Sequence, residues 1–176
     1  MATRVASLGQ ASVKWTLALY CKPFMNPDDL LKLDAQLCFR LYAASRAMTR
    51  TYQPLLAGLD LTYPQYLVML VLWEKDDITV KQIGEKLALD SGTLTPLLKR
   101  LEHSGFIIRQ RRAENEREVR ILLTSTGRNL KEKAKPIPAQ MFEHFGITLE
   151  EITELKRLLD QITGSACSPE NPASSC

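Results

Sequence analysis

Apolar residues recur at three- and four-residue intervals near the start of the chain and predict an amphipathic helix. The repeating positions are Leu30, Leu33, Leu37, Leu41, Ala44 and Met48. Pro27, followed by Asp28 and Asp29, suits the first turn of a helix, where acidic residues face the positive end of the dipole. We expect this helix to run to about Tyr52, before Pro54.

The segment YPQYLVMLVLWEK is apolar on nearly every side and predicts a second, buried helix. Pro64 is acceptable in the first helical turn, and the run is longer than an ordinary strand.

Two short helices follow, separated by a tight turn. Thr79 and Gln82 form a capping box that opens the first of them. Asp90 or Ser91 caps the second helix, and Gly105 ends it. The inward-facing stripe of the second helix is Leu94, Leu97, Leu98 and Leu101.

The runs FIIRQRR and EVRILLT, joined by the polar AENER, predict a β-hairpin. Two helices then close the fold, one over about 124–144 interrupted by Pro136 and Pro138, the other over about 148–163. The order of elements predicts a mainly α fold with a small β-hairpin wing, a winged helix-turn-helix with helical dimerisation arms.

We assign residues 27–163 to this domain, with a DNA-binding part at about 63–124 and dimerisation helices at about 27–52 and 124–163. We expect residues 1–26 to form a disordered extension and residues 164–176 a disordered tail. No apolar run approaches the roughly 20 residues that cross a bilayer. Lys22 stands where a signal peptide would carry small residues, so we expect a cytoplasmic protein that does not bind membranes.

Charge is concentrated in one segment of the chain. The net charge is +3, and residues 99–120 hold seven basic and four acidic residues, which account for all of it. A local basic stripe is typical of a surface that contacts phosphates, although a solvated charged hairpin is the alternative interpretation.

The polar face of the second short helix and the hairpin predict an interface for double-stranded DNA. A helix carrying small polar and basic side chains can enter the major groove, and a wing arginine can enter the adjacent minor groove. A homodimer would then match a pseudo-palindromic operator. The candidate residues are Ser91, Thr93, Pro96, Lys99 and Arg100 on the helix, and Arg109, Arg111, Arg112 and Arg117 on the wing.

The cysteines and histidines do not predict a metal site or a cofactor. No cysteine pair has ligand spacing, and the only histidines are His103 and His144. The chain also has no Gly-rich phosphate loop, catalytic carboxylate pair or hydrolase triad, so we do not expect an enzyme. Taken alone, Cys38 on the apolar side of its helix would usually be a small core residue.

The stretch TVKQIGEKLALDSGTLTPLLKRLEHSGFIIRQRRAENEREVRILLT resembles the MarR family of bacterial regulators throughout. The flanking segments LDAQLCFRLYAASRAMTRTY and LDLTYPQYLVMLVLWE resemble its organic-hydroperoxide-sensing branch, the OhrR type. The resemblance covers residues 27–163. It implies a homodimeric repressor that releases its operator when an organic hydroperoxide oxidises a sensing cysteine.

The resemblance also implies roles for individual residues. Cys38 matches the sensing cysteine, and Tyr52 and Tyr63 match tyrosines whose hydroxyls hold the thiolate across the dimer interface. Tyr42 matches a third tyrosine near the site. Ser91, Thr93, Lys99, Arg100 and the wing residue Arg117 fall on DNA-contacting positions. We expect Cys38 to be buried about ten residues inside its helix, beyond the reach of the helix dipole, so that the tyrosine hydroxyls alone stabilise the anion.

Two positions depart from the family pattern. Asn115 stands where the wing carries an acidic residue, and the segment QMFEHFGITLEE has no sulfur where two-cysteine members have a resolving cysteine. The thiol that completes the reaction is therefore open: Cys21, Cys167, Cys176 or a low-molecular-weight thiol of the cell.

Two other functions fit parts of the sequence. One is a repressor of the same family released by a small phenolic or aromatic ligand, for which Cys38 would be dispensable. The other is a thiol peroxidase, for which the sequence offers no arginine and threonine beside the thiol and which leaves the basic wing unexplained.

Overall fold

The computed structural model describes residues 26–112 and 115–166. The chain divides into two compact units, residues 1–48 and 49–176. Most of the expected extension and tail, including Cys21, Cys167 and Cys176, lies outside the described residues.

The first unit contains three helical pieces where one continuous helix was expected. They are α1 (Pro27–Leu30), a 3₁₀ turn (Leu33–Ala35) and the beginning of α2 (Leu37–Ala57). Lys32 and Gln36 adopt extended backbone conformations between these pieces. The side-chain amide of Gln36 donates to the carbonyl of Leu30, which a continuous helix would pair with a backbone N–H. The prediction of a single helix over 27–52 was therefore wrong.

Helix α2 also runs past its predicted end and contains Pro54. A proline removes only the bond to the carbonyl four residues earlier, and the flanking residues can continue the helix at a cost in stability. The residues after Pro54 contribute Leu56, which is fully buried, so packing offsets the loss.

The second unit is organised around α3 (Tyr63–Glu74), the predicted apolar helix. Thr62 caps the start of this helix, and its backbone N–H donates to the Gln65 side-chain oxygen at 2.8 Å. Tyr66, Val68, Met69 and Leu72 lie in the core. The prediction of a buried helix is confirmed.

The predicted helix pair is present as α4 (Val80–Leu87) and α5 (Ser91–His103). The Thr79 capping box is confirmed by hydrogen bonds of 3.0 and 3.1 Å between Thr79 and Gln82. Asp90 caps α5, and Gly105 follows its end with a φ of +72°, a conformation that glycine adopts without strain.

The hairpin consists of β2 (Ile107–Arg112) and β3 (Asn115–Leu123), and these strands are called the wing below. A two-residue strand, β1 (Ile78–Thr79), pairs with β3 opposite Ile121 and Arg120. The sheet order is β1-β3-β2, and all pairs are antiparallel. The third strand was not predicted from the sequence.

The loop before β1 is tied to the sheet by ion pairs and backbone bonds. Asp76 accepts from the Leu123 backbone N–H at 2.8 Å and from Arg128 at 2.8 Å. Asp77, at a φ of +54°, pairs with Arg120 at 2.6 Å. Burial opposes ionisation of Asp76, but the bonds from Leu123, Arg128 and Asp77 hold its pKa below the usual value.

The closing helices are α6 (Ser125–Ala134), α7 (Ile137–Phe145) and α8 (Leu149–Ala166). The break at Pro136 is confirmed. A capping box precedes α8, because Thr148 and Glu151 exchange side-chain to backbone hydrogen bonds of 2.9 and 3.2 Å. Helix α8 ends later than expected and takes in residues 164–166 of the predicted tail. Gly127 of α6 lies against the Phe106 carbonyl, and its own carbonyl accepts from the Trp73 indole at 2.9 Å.

Each unit leaves apolar side chains exposed. In the first unit these are Leu30, Leu31, Leu33, Leu37, Tyr42 and Met48; on α8 they are Leu149, Leu155, Leu158 and Ile162. None of the helices within residues 26–112 and 115–166 has the length and apolar character needed to span a bilayer.

Candidate functional site

Helix α5 separates its apolar and polar side chains onto opposite faces. Leu94, Leu98 and Leu101 are buried against the core. The five side chains that the sequence singled out on this helix are all exposed: Ser91, Thr93, Pro96, Lys99 and Arg100. The helix therefore presents hydroxyls and two cations on one accessible surface, which is the arrangement that major-groove reading needs.

The first turn of α5 is already occupied by its own cap. The Asp90 carboxylate accepts from the Thr93 N–H at 2.9 Å and from the Thr93 hydroxyl at 2.7 Å. These bonds, the hydroxyl bond first, lower the pKa of Asp90 and keep it ionised. Thr93 thus serves the cap, and its hydroxyl proton is directed to Asp90.

The wing arginines that were predicted to contact DNA lie in different environments. Arg111 is exposed, and the side chains of Arg112 and Arg117 lie outside the described residues, as does that of Asn115. Arg109 is 24% exposed, and its Nη1 lies 3.8 Å from the Glu102 carboxylate on α5. The contact with Glu102 was not predicted from the sequence, although strand alternation places Arg109 on the same side as buried Ile107.

Cys38 lies at the second residue of α2, and its side chain is exposed in the single chain. The expectation that it lies ten residues inside a helix was therefore wrong, whereas its burial at the seam between two subunits stays a prediction, since this exposure is that of one chain. The break at residues 31–36 explains the difference, because α2 starts ten residues later than the predicted helix. Unpaired N–H groups at a helix start favour negative charge nearby.

Tyr42 follows Cys38 by one turn, so the two side chains share a face of α2. Its ring is 58% exposed, and the guanidinium carbon of Arg46 lies 5.6 Å from the ring centroid. An exposed aromatic ring beneath a cation is a favourable pair.

Tyr52 and Tyr63 come together in the second unit. Their ring centroids are 4.8 Å apart, and Tyr66 lies 5.8 Å from Tyr52. Burial raises the pKa of Tyr52 and Tyr63, and for Tyr52 the neighbouring Tyr63 adds to the effect. Both hydroxyls therefore stay protonated and can donate hydrogen bonds to an anion.

Tyr66 was not singled out from the sequence as part of this cluster. It is buried, and its pKa is also raised, first by burial and then by Tyr52 and Tyr63. Its position three residues after Tyr63 was a signal, because that spacing puts both rings on one side of α3.

A cavity of about 600 Å³ opens between the end of α2, the start of α3 and the last turns of α5. Its lining includes Asp60, Gln65, Lys99, Arg100 and His103. Among the described residues, His, Cys, Asp and Glu side chains form no group of three that could hold a metal ion.

Comparison with known proteins gives matches along most of the chain. The family model described as "Transcriptional regulator SarA/Rot" matches residues 50–134. An organic hydroperoxide resistance transcriptional regulator of Bacillus subtilis is 53% identical over 133 residues, which span 76% of this chain and 88% of the relative.

Solved structures of AbfR of Staphylococcus epidermidis are also similar. Reduced AbfR bound to DNA has a TM-score of 0.65 and 36% identity, and covers 80% of this chain and 96% of its own. Overoxidized AbfR bound to DNA has a TM-score of 0.63 and 35% identity, and covers 79% and 98%.

Proposed function

The chain belongs to the organic-hydroperoxide-resistance branch of the MarR family of transcriptional regulators, and we propose that oxidation of Cys38 switches its binding to operator DNA. The observation that carries the proposal is the match to the Bacillus subtilis regulator across the domain. The protein acts as a repressor in the cytoplasm, and its reaction with the hydroperoxide controls DNA binding rather than serving as an enzymatic activity.

In the DNA-bound state, α5 lies in the major groove of a double-stranded operator. Its exposed Ser91, Lys99 and Arg100 contact base edges and phosphates. The wing reaches the adjacent minor groove through Arg111, Arg112 and Arg117. Both similar AbfR structures hold DNA, which supports this assignment.

The operator-binding form is a homodimer, and the operator is pseudo-palindromic. The exposed leucines of the first unit and of α8 support this, since a monomer would leave all of them in water. Each fully buried leucine contributes about 1.5–3 kcal/mol to association, before its costs. The partner subunit then covers Cys38 and brings tyrosine hydroxyls to its thiolate.

Oxidation starts with attack of the Cys38 thiolate on the terminal oxygen of an organic hydroperoxide. The S–O bond forms as the O–O bond breaks, sulfur loses two electrons, and the alkoxide leaves and takes a proton to become an alcohol. The product is a sulfenic acid. Tyr52 and Tyr63 support this step as hydrogen-bond donors, and burial, which raises the pKa of both, keeps their hydroxyls protonated.

Release of DNA requires a second step. Overoxidized AbfR is bound to DNA in its crystal, so added oxygen atoms alone do not account for release. We assign release to a disulfide, formed when a second thiol displaces water from the sulfenic acid of Cys38. Cys21, Cys167, Cys176 or a small cellular thiol supplies that sulfur, and the bulkier adduct changes the spacing of the two α5 helices.

The test compares wild type with Cys38→Ser and with a triple variant, Cys21→Ser, Cys167→Ser and Cys176→Ser. Binding to operator DNA is followed by fluorescence anisotropy before and after cumene hydroperoxide, with and without a small thiol. Wild type should release DNA on oxidation and rebind after reduction, whereas Cys38→Ser should stay bound. If a small thiol forms the disulfide with oxidised Cys38, the triple variant should release DNA only when that thiol is present. Release of Cys38→Ser by peroxide would refute the proposal.

A second candidate function is release by a small phenolic or aromatic ligand in the 600 Å³ cavity. The cavity favours it because Lys99 and Arg100 line it and also lie on the α5 surface. A phenolic acid bound there as an anion would compete with the DNA phosphates for Lys99 and Arg100. This function predicts that a phenolic acid raises the melting temperature and releases DNA from the Cys38→Ser variant as well.

A further inference from the structure

Arg109 has a geometry that sets it apart from the other basic residues of the wing. It pairs across the sheet with Ile121, and Ile107 on the same side of β2 is buried. Side chains alternate along a strand, so Arg109 faces the helices while Ile108 and Gln110 face outward.

The guanidinium enters a groove between the wing and the helix pair. The groove has a volume of about 410 Å³ and is lined by Thr95, Leu98, Arg109, Glu118 and Val119 among others. Nη1 of Arg109 lies 3.8 Å from Glu102 of α5, and within the described residues its buried Nε has no hydrogen-bond partner. An arginine in this position is oriented toward the protein and away from a ligand on the outer surface.

The neighbouring strand has its own attachment at the same level of the wing, since Arg120 faces Gln110 and lies next to Ile121, the partner of Arg109. Arg120 on β3 pairs with Asp77 of the loop before β1 at 2.6 Å and lies 3.8 Å from Glu118. Arg120 thus ties β3 to the body of the domain, while Arg109 ties β2 to the helix that carries Lys99 and Arg100. The wing and α5 must contact neighbouring grooves at once, so the angle between them determines which DNA fits.

We infer that Arg109 is a positioning residue: its ion pair with Glu102 fixes the wing against α5 and sets the specificity for the operator, without contact to DNA. This inference rests on the proposed function. The inference replaces the prediction from the sequence that Arg109 contacts DNA. Glu102, an acidic residue within the basic segment, contributes to operator specificity through its ion pair with Arg109.

The experiment uses the full-length protein and two duplexes of equal length. One is selected from a random-sequence pool by the wild-type protein, and the other is unrelated. The variants are Arg109→Gln, Glu102→Gln and the charge swap Arg109→Glu with Glu102→Arg. Arg111→Gln is the matched control, because Arg111 is exposed on the same strand. Affinity is measured for each duplex as a function of salt, with a thermal unfolding curve for every variant.

Arg109→Gln and Glu102→Gln should each weaken binding to the selected duplex by about threefold to tenfold. Neither should change binding to the unrelated duplex by more than about twofold, and the salt slope should not change. The charge swap should recover most of the lost affinity. Arg111→Gln should weaken both duplexes alike and reduce the slope by about 0.9.

Three results would overturn the inference. If Arg109 contacts a phosphate, Arg109→Gln lowers the salt slope and Glu102→Gln tightens binding, because a negative charge near DNA is removed. If the pair only stabilises the fold, both duplexes weaken equally and the melting temperature falls. If the wild-type protein selects no duplex from the pool, the proposed function fails, and the inference fails with it.

Discussion

The ring of Tyr52 lies 4.8 Å from that of Tyr63, centroid to centroid, with 39° between the ring planes. Helix α2 contributes one ring and the first residue of α3 contributes the other. Their contact places two protonated phenols side by side, and burial raises the pKa of both. In the proposed mechanism this pair receives the Cys38 thiolate of the partner subunit.

Removal of either phenol should slow oxidation and leave DNA binding by the reduced protein unchanged. A hydrogen bond to a charged group contributes about 1.5–3 kcal/mol, so Tyr52→Phe and Tyr63→Phe should each lower the rate by about tenfold or more. The rate is measured as loss of free Cys38 thiol under cumene hydroperoxide. Tyr66→Phe, in the same cluster, is the control for ring packing. An unchanged rate in both variants would remove the tyrosines from the mechanism.

The contribution of Asp76 to stability should depend on pH. Its pKa in the folded protein is lowered, so the stabilisation is present above the ordinary carboxyl pKa of 3.8 and is lost as pH falls through the lower folded pKa. Asp76→Asn should reduce the free energy of unfolding by about 1–3 kcal/mol at neutral pH, and the difference from wild type should shrink in acid.

Urea unfolding at pH 7 and near pH 3, at one protein concentration, measures the Asp76 effect. Glu132→Gln is the control, because Glu132 is exposed and pairs with Lys135, three residues later in the chain. A difference between Asp76→Asn and wild type that stayed constant with pH would contradict the assigned hydrogen bonds.

Gly127 should not tolerate a side chain. A Cβ there would overlap the backbone carbonyl of Phe106, so α6 would have to move from the end of the sheet. Gly127→Ala should cost about 1–3 kcal/mol or more. Gly58→Ala is the comparison, since a Cβ at Gly58 meets nothing within 4 Å. Thermal unfolding measures the melting temperatures of both variants, and that of Gly127→Ala should be the lower. Equal melting temperatures would show that α6 shifts without a cost in stability.

Lys99 should account for about one phosphate contact. Lys99→Ala should lower the slope of log affinity against log salt by about 0.9 and weaken all duplexes similarly. Lys156→Ala is the matched control, because Lys156 is an exposed lysine of α8. If the two variants had the same slope as wild type, the exposed face of α5 would not be the phosphate-binding surface.

The helix pair and the wing were predictable because their signals are local. The Thr79 box, the Asp90 cap and Gly105 each act within a few residues, and the structure contains all three. Strand β1 gave no such signal, because two residues have no measurable periodicity and their pairing with Ile121 joins distant parts of the chain.

The environment of Cys38 was not predictable from periodicity. Leu33 and Leu37 continue the three- and four-residue spacing across a break that depends on the Gln36 side chain and the Leu30 carbonyl. The direction of Arg109 was available from strand alternation, but its ion pair with Glu102 depends on how β2 packs against α5.

The Asp90 cap has a consequence for how this regulator can diverge. Because the first turn of α5 is neutralised from within by Asp90 and Thr93, the helix does not depend on a DNA phosphate for its own integrity. Ser91, Lys99 and Arg100 are exposed and take no part in the core. A descendant can therefore exchange Ser91 and Arg100 and acquire a new operator while it keeps Lys99 for the phosphate, and the fold and the peroxide response are inherited unchanged.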